Sequence, residues 1–154
     1  MKERYRIEPL SGSHDRSEFS SGSEQADGYF RGGALRGMQR RISTCFVAAG
    51  IQSERIAGYY SLAGASVSLV ELSGRIAMVP VAWLVSLAVA RECQGTGLGG
   101  VLLGDAVLRA SAKESGISAM MVDVADDNTR RFYGHFGFRP IDGEDRRLWL
   151  PILR

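Results

Sequence analysis

Between Gln94 and Gly100 the chain reads Gln-Gly-Thr-Gly-Leu-Gly-Gly, with glycine at 95, 97, 99 and 100. Glycines at that density remove the side chains that hold an anion away from backbone N–H groups, and they accept φ > 0. An apolar run ending at Ala90 precedes the loop. An apolar pattern of helical period comes after it, through Leu98, Leu102, Ala106, Val107 and Ala110. Strand, glycine loop and helix in that order present several N–H groups and a positive helix end to one anion. The implied ligand carries a phosphate or pyrophosphate. No lysine succeeds the glycines, which removes the P-loop reading. Gly95, Gly97 and Gly100 satisfy G-x-G-x-x-G, but only 54 residues remain after Gly100 and a hairpin-like pair of strands precedes it. That leaves little room for a doubly wound dinucleotide sheet. A third pattern, Gln-x-x-Gly-x-Gly, is met by Gln94, Gly97 and Gly99.

A second chemical signal is electrostatic. Residues 28–53 contain no Asp or Glu and carry Arg31, Arg36, Arg40 and Arg41, on a chain whose formal net charge is only +2. An acid-free arginine stretch reads as a local positive face for a polyanion. A solvated surface helix whose charges pair elsewhere gives the same pattern.

Periodicity and turn chemistry define the elements that must position these groups. Residues 5–10 alternate and predict a first strand, and Ser-, Gly- and Asp-rich residues 11–23 predict a loop. Residues 24–39 predict a helix softened by Gly28, Gly32, Gly33 and Gly37. Residues 43–49 and 55–62 predict a hairpin, and 63–74 a loop or short strand. Residues 76–90 hold a central strand, with Pro80 expected to confine its regular part to the residues after the proline. A helix over 98–115 ending at Gly116, then a buried strand over 117–125, makes one right-handed parallel crossover. Asp126 or Asp127 is placed to cap a helix over 128–136 that stops at Gly137, and residues 147–153 predict the last strand. The fold class is α/β, a mixed sheet flanked by helices, in a single domain over 1–154.

Composition bounds the rest. Hydrophobic content of 45% and charged content of 23% are those of an ordinary globule. Two distant cysteines, Cys45 and Cys93, and two histidines match no metal spacing, so no metal is expected. Reduced cysteines fit a cytoplasmic protein. The opening Met-Lys-Glu-Arg-Tyr-Arg leads into no apolar core, so no signal peptide is expected. The apolar run 76–90 is shorter than the ~20 residues of a spanning helix.

The motifs occur in a recognisable order. Gly58-Tyr-Tyr-Ser-Leu62 lies on a strand, Leu87-Ala-Val89 precedes the glycine loop, and Leu103-Gly-Asp-Ala106 stands beyond it. Phe132-Tyr133 and Phe136-Gly-Phe138 close the series, and Glu18-Phe-x-x-Gly22 opens it ahead of the basic helix. The chain resembles the GCN5-related N-acetyltransferases (GNAT), and more narrowly the TacT-type GNAT toxins of bacterial toxin–antitoxin modules, over essentially its whole length. The resemblance implies a GNAT fold with splayed central parallel strands. It implies acetyl-CoA as co-substrate, its pantetheine arm on the backbone of Leu87, Ala88 and Val89. Its pyrophosphate would lie on the backbone of Gln94, Gly95, Thr96, Gly97, Leu98, Gly99 and Gly100. It implies Tyr133 as the catalytic residue and the α-amino group of an aminoacyl-tRNA as acceptor, with translation blocked as the outcome. It further implies a ribbon-helix-helix antitoxin as partner; a homodimer fits the exposed apolar strand and Trp positions. Val85-Ser86 stands where the family usually has Gly-Arg or Ala-Arg, and Ala90 where it usually has Asp.

Chemistry agrees with these assignments. An α-amino group of pKa near ~8 keeps a useful neutral fraction at pH 7, so no strong base is required. Attack then rests on positioning, and the leaving thiolate needs a proton donor such as the Tyr133 phenol. The alternative role for Tyr133 is a core aromatic, which Phe132 and Phe136 could fill alone. His14 is expected to be solvated, His135 to point away from Tyr133, and Asp123 and Glu114 to be possible bases without an evident partner. Cys93 has no histidine to activate it. Tyr59 and Tyr60 line an acceptor channel or alternate across their strand; Trp83 and Trp149 belong to core or interface. Arg31, Arg36, Arg40 and Arg41, with Arg91 and Arg130, are the candidate phosphate contacts for tRNA. Two other readings stay open: a GNAT enzyme for a small amine or a protein N-terminus, and an acetyl-CoA-binding subunit without transferase activity.

Overall fold

A computed structural model describes residues 4–70, 73–112, 115–141 and 143–152. Glu114 lies outside the described residues. Seven strands hydrogen-bond in the order β1-β2-β3-β4-β5-β7-β6. They are β1 Tyr5–Pro9, β2 Thr44–Gly50, β3 Ile56–Val70, β4 Ile76–Val89, β5 Ala119–Asp123, β6 Arg139–Ile141 and β7 Glu144–Pro151. β4 and β5 are parallel, while β1–β2, β2–β3, β5–β7 and β6–β7 are antiparallel. The helices are α1 Glu24–Gly28, α2 Ala34–Gln39, α3 Leu98–Ala110 and α4 Asp127–His135. The expected mixed α/β sheet with a parallel crossover is therefore present. The chain divides into two compact units, Met1–Leu62 with Ser86–Ala106 and Ala63–Val85 with Val107–Arg154.

In the first unit the sides of β3 alternate, as a strand's must. Gly58 and Tyr60 face α3: a Cβ at Gly58 would meet Leu102 Cδ1, and the Tyr60 hydroxyl donates to Asp105 at 2.5 Å. Tyr59 and Ser61 face the segment containing α1. The Tyr59 ring stacks on Phe30 at 4.3 Å between centroids, and Phe19 meets both edge-on at 5.7 and 4.9 Å. All three side chains are buried, and aromatic pairs in these geometries add stabilisation beyond the apolar area they remove from water.

The helix expected over 24–39 is interrupted. Residues Tyr29–Gly33 form a π-turn between α1 and α2, with Ala34 N–H bonded to the Tyr29 carbonyl. The wider turn leaves carbonyls poorly matched, and Arg16 donates to those of Phe30 and Arg31 at 3.0 and 3.1 Å. Gly33 sits close to the Tyr29 ring: a Cβ there would lie 3.0 Å from it, and the ring would have to give by a few tenths of an ångström.

In the second unit Val81, Ala119 and Met121 are buried, and Trp83, Trp149 and Ile141 pack against them. Arg147 lies 4.8 Å over the Trp83 ring and pairs with Asp123 at 2.9 Å. Asp123 thus has a partner, and its place is in this surface pair. α4 begins as expected: Asp126 accepts from Thr129 N–H at 2.7 Å, which holds its carboxyl below the usual range. Gly137 comes just after the helix at φ +95.

Several boundaries differ from those expected of the sequence. β3 runs to Val70, through residues expected to be loop or short strand. β4 is regular from Ile76, including Pro80. Pro80 directly precedes the residues paired with β5, Val81–Leu84, and its carbonyl accepts Ser118 N–H at 2.9 Å. A proline fits where a strand's partner has not yet begun. α3 stops at Ala110, short of Ser115, and the Ser115 hydroxyl donates to the Ala110 carbonyl at 2.9 Å. β6 was not legible: three residues, Arg-Pro-Ile, carry no alternation to read.

Candidate active site

The glycine loop is built as the anion geometry requires. A 3-10 turn, Arg91–Cys93, leads out of β4, and Gly95 and Gly97 take φ +78 and +90. A side chain at either would be strained, and an added Cβ at either meets nothing within 4 Å. The space over the loop is open, and the first N–H groups of α3 (Leu98, Gly99 and Gly100) have no acceptor inside the helix. Gln94 fastens the loop from below. Its side-chain amide donates to the carbonyls of Ser21 at 2.8 Å and Val89 at 2.9 Å. The Thr96 hydroxyl is turned inward to the Cys93 carbonyl at 2.6 Å. The loop therefore offers backbone donors to a diphosphate with no acidic side chain among residues 94–100.

β5 pairs with β4 over Val81–Leu84 and no further, although β4 continues to Val89. The backbone of Leu87, Ala88 and Val89 consequently has no β5 partner. This is the feature that lets an extended amide-bearing arm add to a strand edge.

Tyr133, in the second unit, is 4% exposed, edge-on to Phe132 and Phe138 at 5.0 and 5.3 Å. Burial pushes its phenol well above the ordinary value, so it is protonated at neutral pH. A buried Tyr hydroxyl usually finds a partner. Among the described residues this one has none. The group is a proton or hydrogen-bond donor in waiting. It is not a base.

The other candidates resolve clearly. His14 is not solvated: its side chain is 13% exposed, its Nε2 lies 2.9 Å from Glu8, and its Nδ1 accepts Ser11 N–H at 3.0 Å. That pair holds Glu8 below the usual carboxylate range. A short loop returning to β1 brings them together, which spacing alone did not reveal. His135 is exposed, on the other side from Tyr133. Burial pushes the Cys45 thiol up to about 12, which removes it as a nucleophile; Cys93 sits 3.8 Å from the Tyr5 hydroxyl. Tyr59 and Tyr60 are both fully buried. Arg36, Arg40 and Arg41 are exposed within and just after α2, and Arg91 beside the loop is exposed too. Arg31 is exposed, but its guanidinium already donates to the Phe19 carbonyl. Among the described residues no group of His, Cys, Asp and Glu could hold a metal ion, and no helix is long and apolar enough to cross a membrane.

The sequence model of the acetyltransferase (GNAT) family matches residues 12–138. The chain belongs to the GNAT acetyltransferases. A tRNA-acetylating toxin of Mycobacterium tuberculosis (strain ATCC 25618 / H37Rv) is 39% identical over 136 residues, 84% of this chain and 81% of the relative. Two solved structures of the AtaT toxin share the GNAT fold. One is a tyrosine-to-phenylalanine mutant bound to the C-terminus of the antitoxin AtaR and acetyl-CoA (TM-score 0.83, 23% identity, 96% of this chain and 93% of that one). The other is AtaT complexed with acetyl-methionyl-tRNAfMet (TM-score 0.85, 22% identity, 96% and 94%).

Proposed function

We propose that this GNAT enzyme is a toxin that transfers the acetyl group of acetyl-CoA to the α-amino group of an aminoacyl-tRNA and so blocks translation. The observation that carries the reading is the open, left-handed glycine loop at the head of α3, in a chain 39% identical to a tRNA-acetylating toxin. Residues Gln94–Gly100 are assigned to the pyrophosphate through backbone N–H groups, and Leu87–Val89 to the pantetheine arm. Acetyl-CoA supplies an activated thioester. The amine nitrogen forms a bond to the acetyl carbon, the C–S bond breaks, one proton leaves nitrogen for water, and the thiolate receives one. Tyr133 is the donor for that sulfur, a role supported by its protonated, unpartnered hydroxyl. Arg31, Arg36, Arg40, Arg41 and Arg91 are assigned to tRNA phosphates. The chain acts as a single catalytic domain over 1–154, in the cytoplasm. A ribbon-helix-helix antitoxin neutralises it, and a homodimer uses the apolar surface at Ile76 and Met78 of β4, 70% and 63% exposed.

The loop assignment predicts a large effect from one residue. Gly97→Val forces a branched side chain into φ +90 and into the space over the N–H groups. Acetyl-CoA affinity, measured by calorimetry, is expected to fall by about five- to 150-fold, since holding the binding conformation against strain of this kind costs about 1–3 kcal/mol. Unchanged affinity would remove the loop from the binding site.

A second reading, transfer to a small cationic amine, has one observation behind it. A cavity of about 650 Å³ in the first unit is lined by Glu8, Asp15, Glu18, Glu54 and Glu92 among others. Three of those carboxylates are already engaged, Glu8 by His14 and Arg6, Asp15 by Ser17, and Glu92 by Arg55. Acetyl transfer from radiolabelled acetyl-CoA separates the readings. Label on charged tRNA and none on deacylated tRNA is the expected result. Label on a polyamine with none on tRNA would overturn it.

A further inference from the structure

Tyr59 is fully buried, and its phenol oxygen makes two contacts, the Ala26 carbonyl at 2.7 Å and Ser86 Oγ at 2.6 Å. A phenol has one proton and a carbonyl only accepts, so the Tyr59 proton goes to Ala26. The Tyr59–Ser86 contact must then use the proton of Ser86. The serine hydroxyl has committed its only proton, and its oxygen remains as an acceptor. No other group among the described residues bonds to it. Donating along a chain of hydrogen bonds also makes that oxygen a better acceptor. Ser86 is half-buried on the α1 side of β4, directly before Leu87.

We infer that Ser86 is a substrate-positioning residue whose hydroxyl oxygen receives one N–H of the incoming amine. The inference rests on the proposed function, because it takes Leu87–Val89 as the seat of the acetyl donor's arm. A neutral primary amine has two N–H groups and a lone pair. One N–H held by Ser86 leaves the lone pair free to be aimed at the acetyl carbon. A site that can only accept selects for a donor, and a buried tyrosine anchored at Ala26 fixes the direction of that selectivity.

The test is steady-state kinetics on folded, full-length protein with charged tRNA as acceptor. Ser86→Ala is expected to raise the KM for aminoacyl-tRNA about tenfold, the scale of one hydrogen bond, with acetyl-CoA affinity unchanged and the protein still folded at the assay temperature. Ser86→Thr keeps the hydroxyl and is expected to restore the wild-type KM. If Ser86→Ala folds poorly, Ser86→Cys, a weak acceptor of similar size, is expected to show the same rise. An unchanged acceptor KM with active wild-type enzyme overturns the inference alone. So does an equal loss in the Ala and Thr variants, or a loss confined to acetyl-CoA affinity. Wild-type protein that leaves charged tRNA unlabelled overturns the proposed function as well.

Discussion

Tyr133→Phe is expected to lower kcat for acetyl transfer by about 10²–10⁴-fold, the usual contribution of a positioned proton donor, while acetyl-CoA binding stays intact. The substitution deletes one oxygen and leaves the aromatic contacts with Phe132 and Phe138 in place. Because the hydroxyl has no partner among the described residues, its loss strands no buried donor or acceptor, and stability should hardly change. A tyrosine that only packs its ring predicts unchanged kcat, because phenylalanine keeps that ring in place. Single-turnover transfer, calorimetry with acetyl-CoA and growth of cells expressing the variant would together decide it. Full residual toxicity would take Tyr133 out of the mechanism. The pH response has a definite sign: burial raises this phenol, so alkaline conditions that would ionise a free tyrosine leave Tyr133 protonated, and activity is not expected to fall near pH 10 on its account.

Reversing charge at two arginines should be nearly as damaging. In the Arg36→Glu, Arg40→Glu double variant the affinity for charged tRNA is expected to drop, and the log–log dependence on salt to become shallower by about two, one unit for each phosphate an arginine no longer neutralises. A difference of two means that a fourfold rise in salt costs the variant roughly sixteenfold less affinity than it costs the wild type. Both side chains are exposed, so the fold should tolerate the exchange. Acetyl-CoA affinity serves as the control and should not move. Filter binding across a salt series checks the slope, and equal slopes for the two proteins would sink the patch.

The parts of the site that depend on local chemistry were readable in the sequence. Gly95 and Gly97 both take positive φ, a backbone conformation that strains other residues. Asp126, Thr129 and Gly137 begin and end α4 by side-chain and backbone bonds within a few residues. Features that spacing could not give depend on partners distant in sequence. β3 extends beyond Leu62 and β4 begins before Pro80 because long strands are stabilised by pairing, which outweighs the weak propensities of Gly64 and Pro80. Asp123 found Arg147, 24 positions away, and His14 found Glu8 across a turn. Ser86 was visible only as a departure from the family pattern; its proton's direction required Tyr59 and Ala26, which lie 27 and 60 positions from it.

The π-turn at Tyr29–Gly33 sets a phase. Each residue of an α-helix advances it by about 100°, and a π-turn adds one residue without adding a turn. Everything after Gly33 is therefore rotated by roughly that angle relative to Phe30, compared with an unbroken helix. Arg36, like Arg40 after it, points where it does because of a one-residue insertion clipped by Arg16. The direction of the basic surface is thus written as a counting offset, and a single deletion between Tyr29 and Gly33 would turn the arginines about a quarter of the way around the axis while every one of them remained in the sequence.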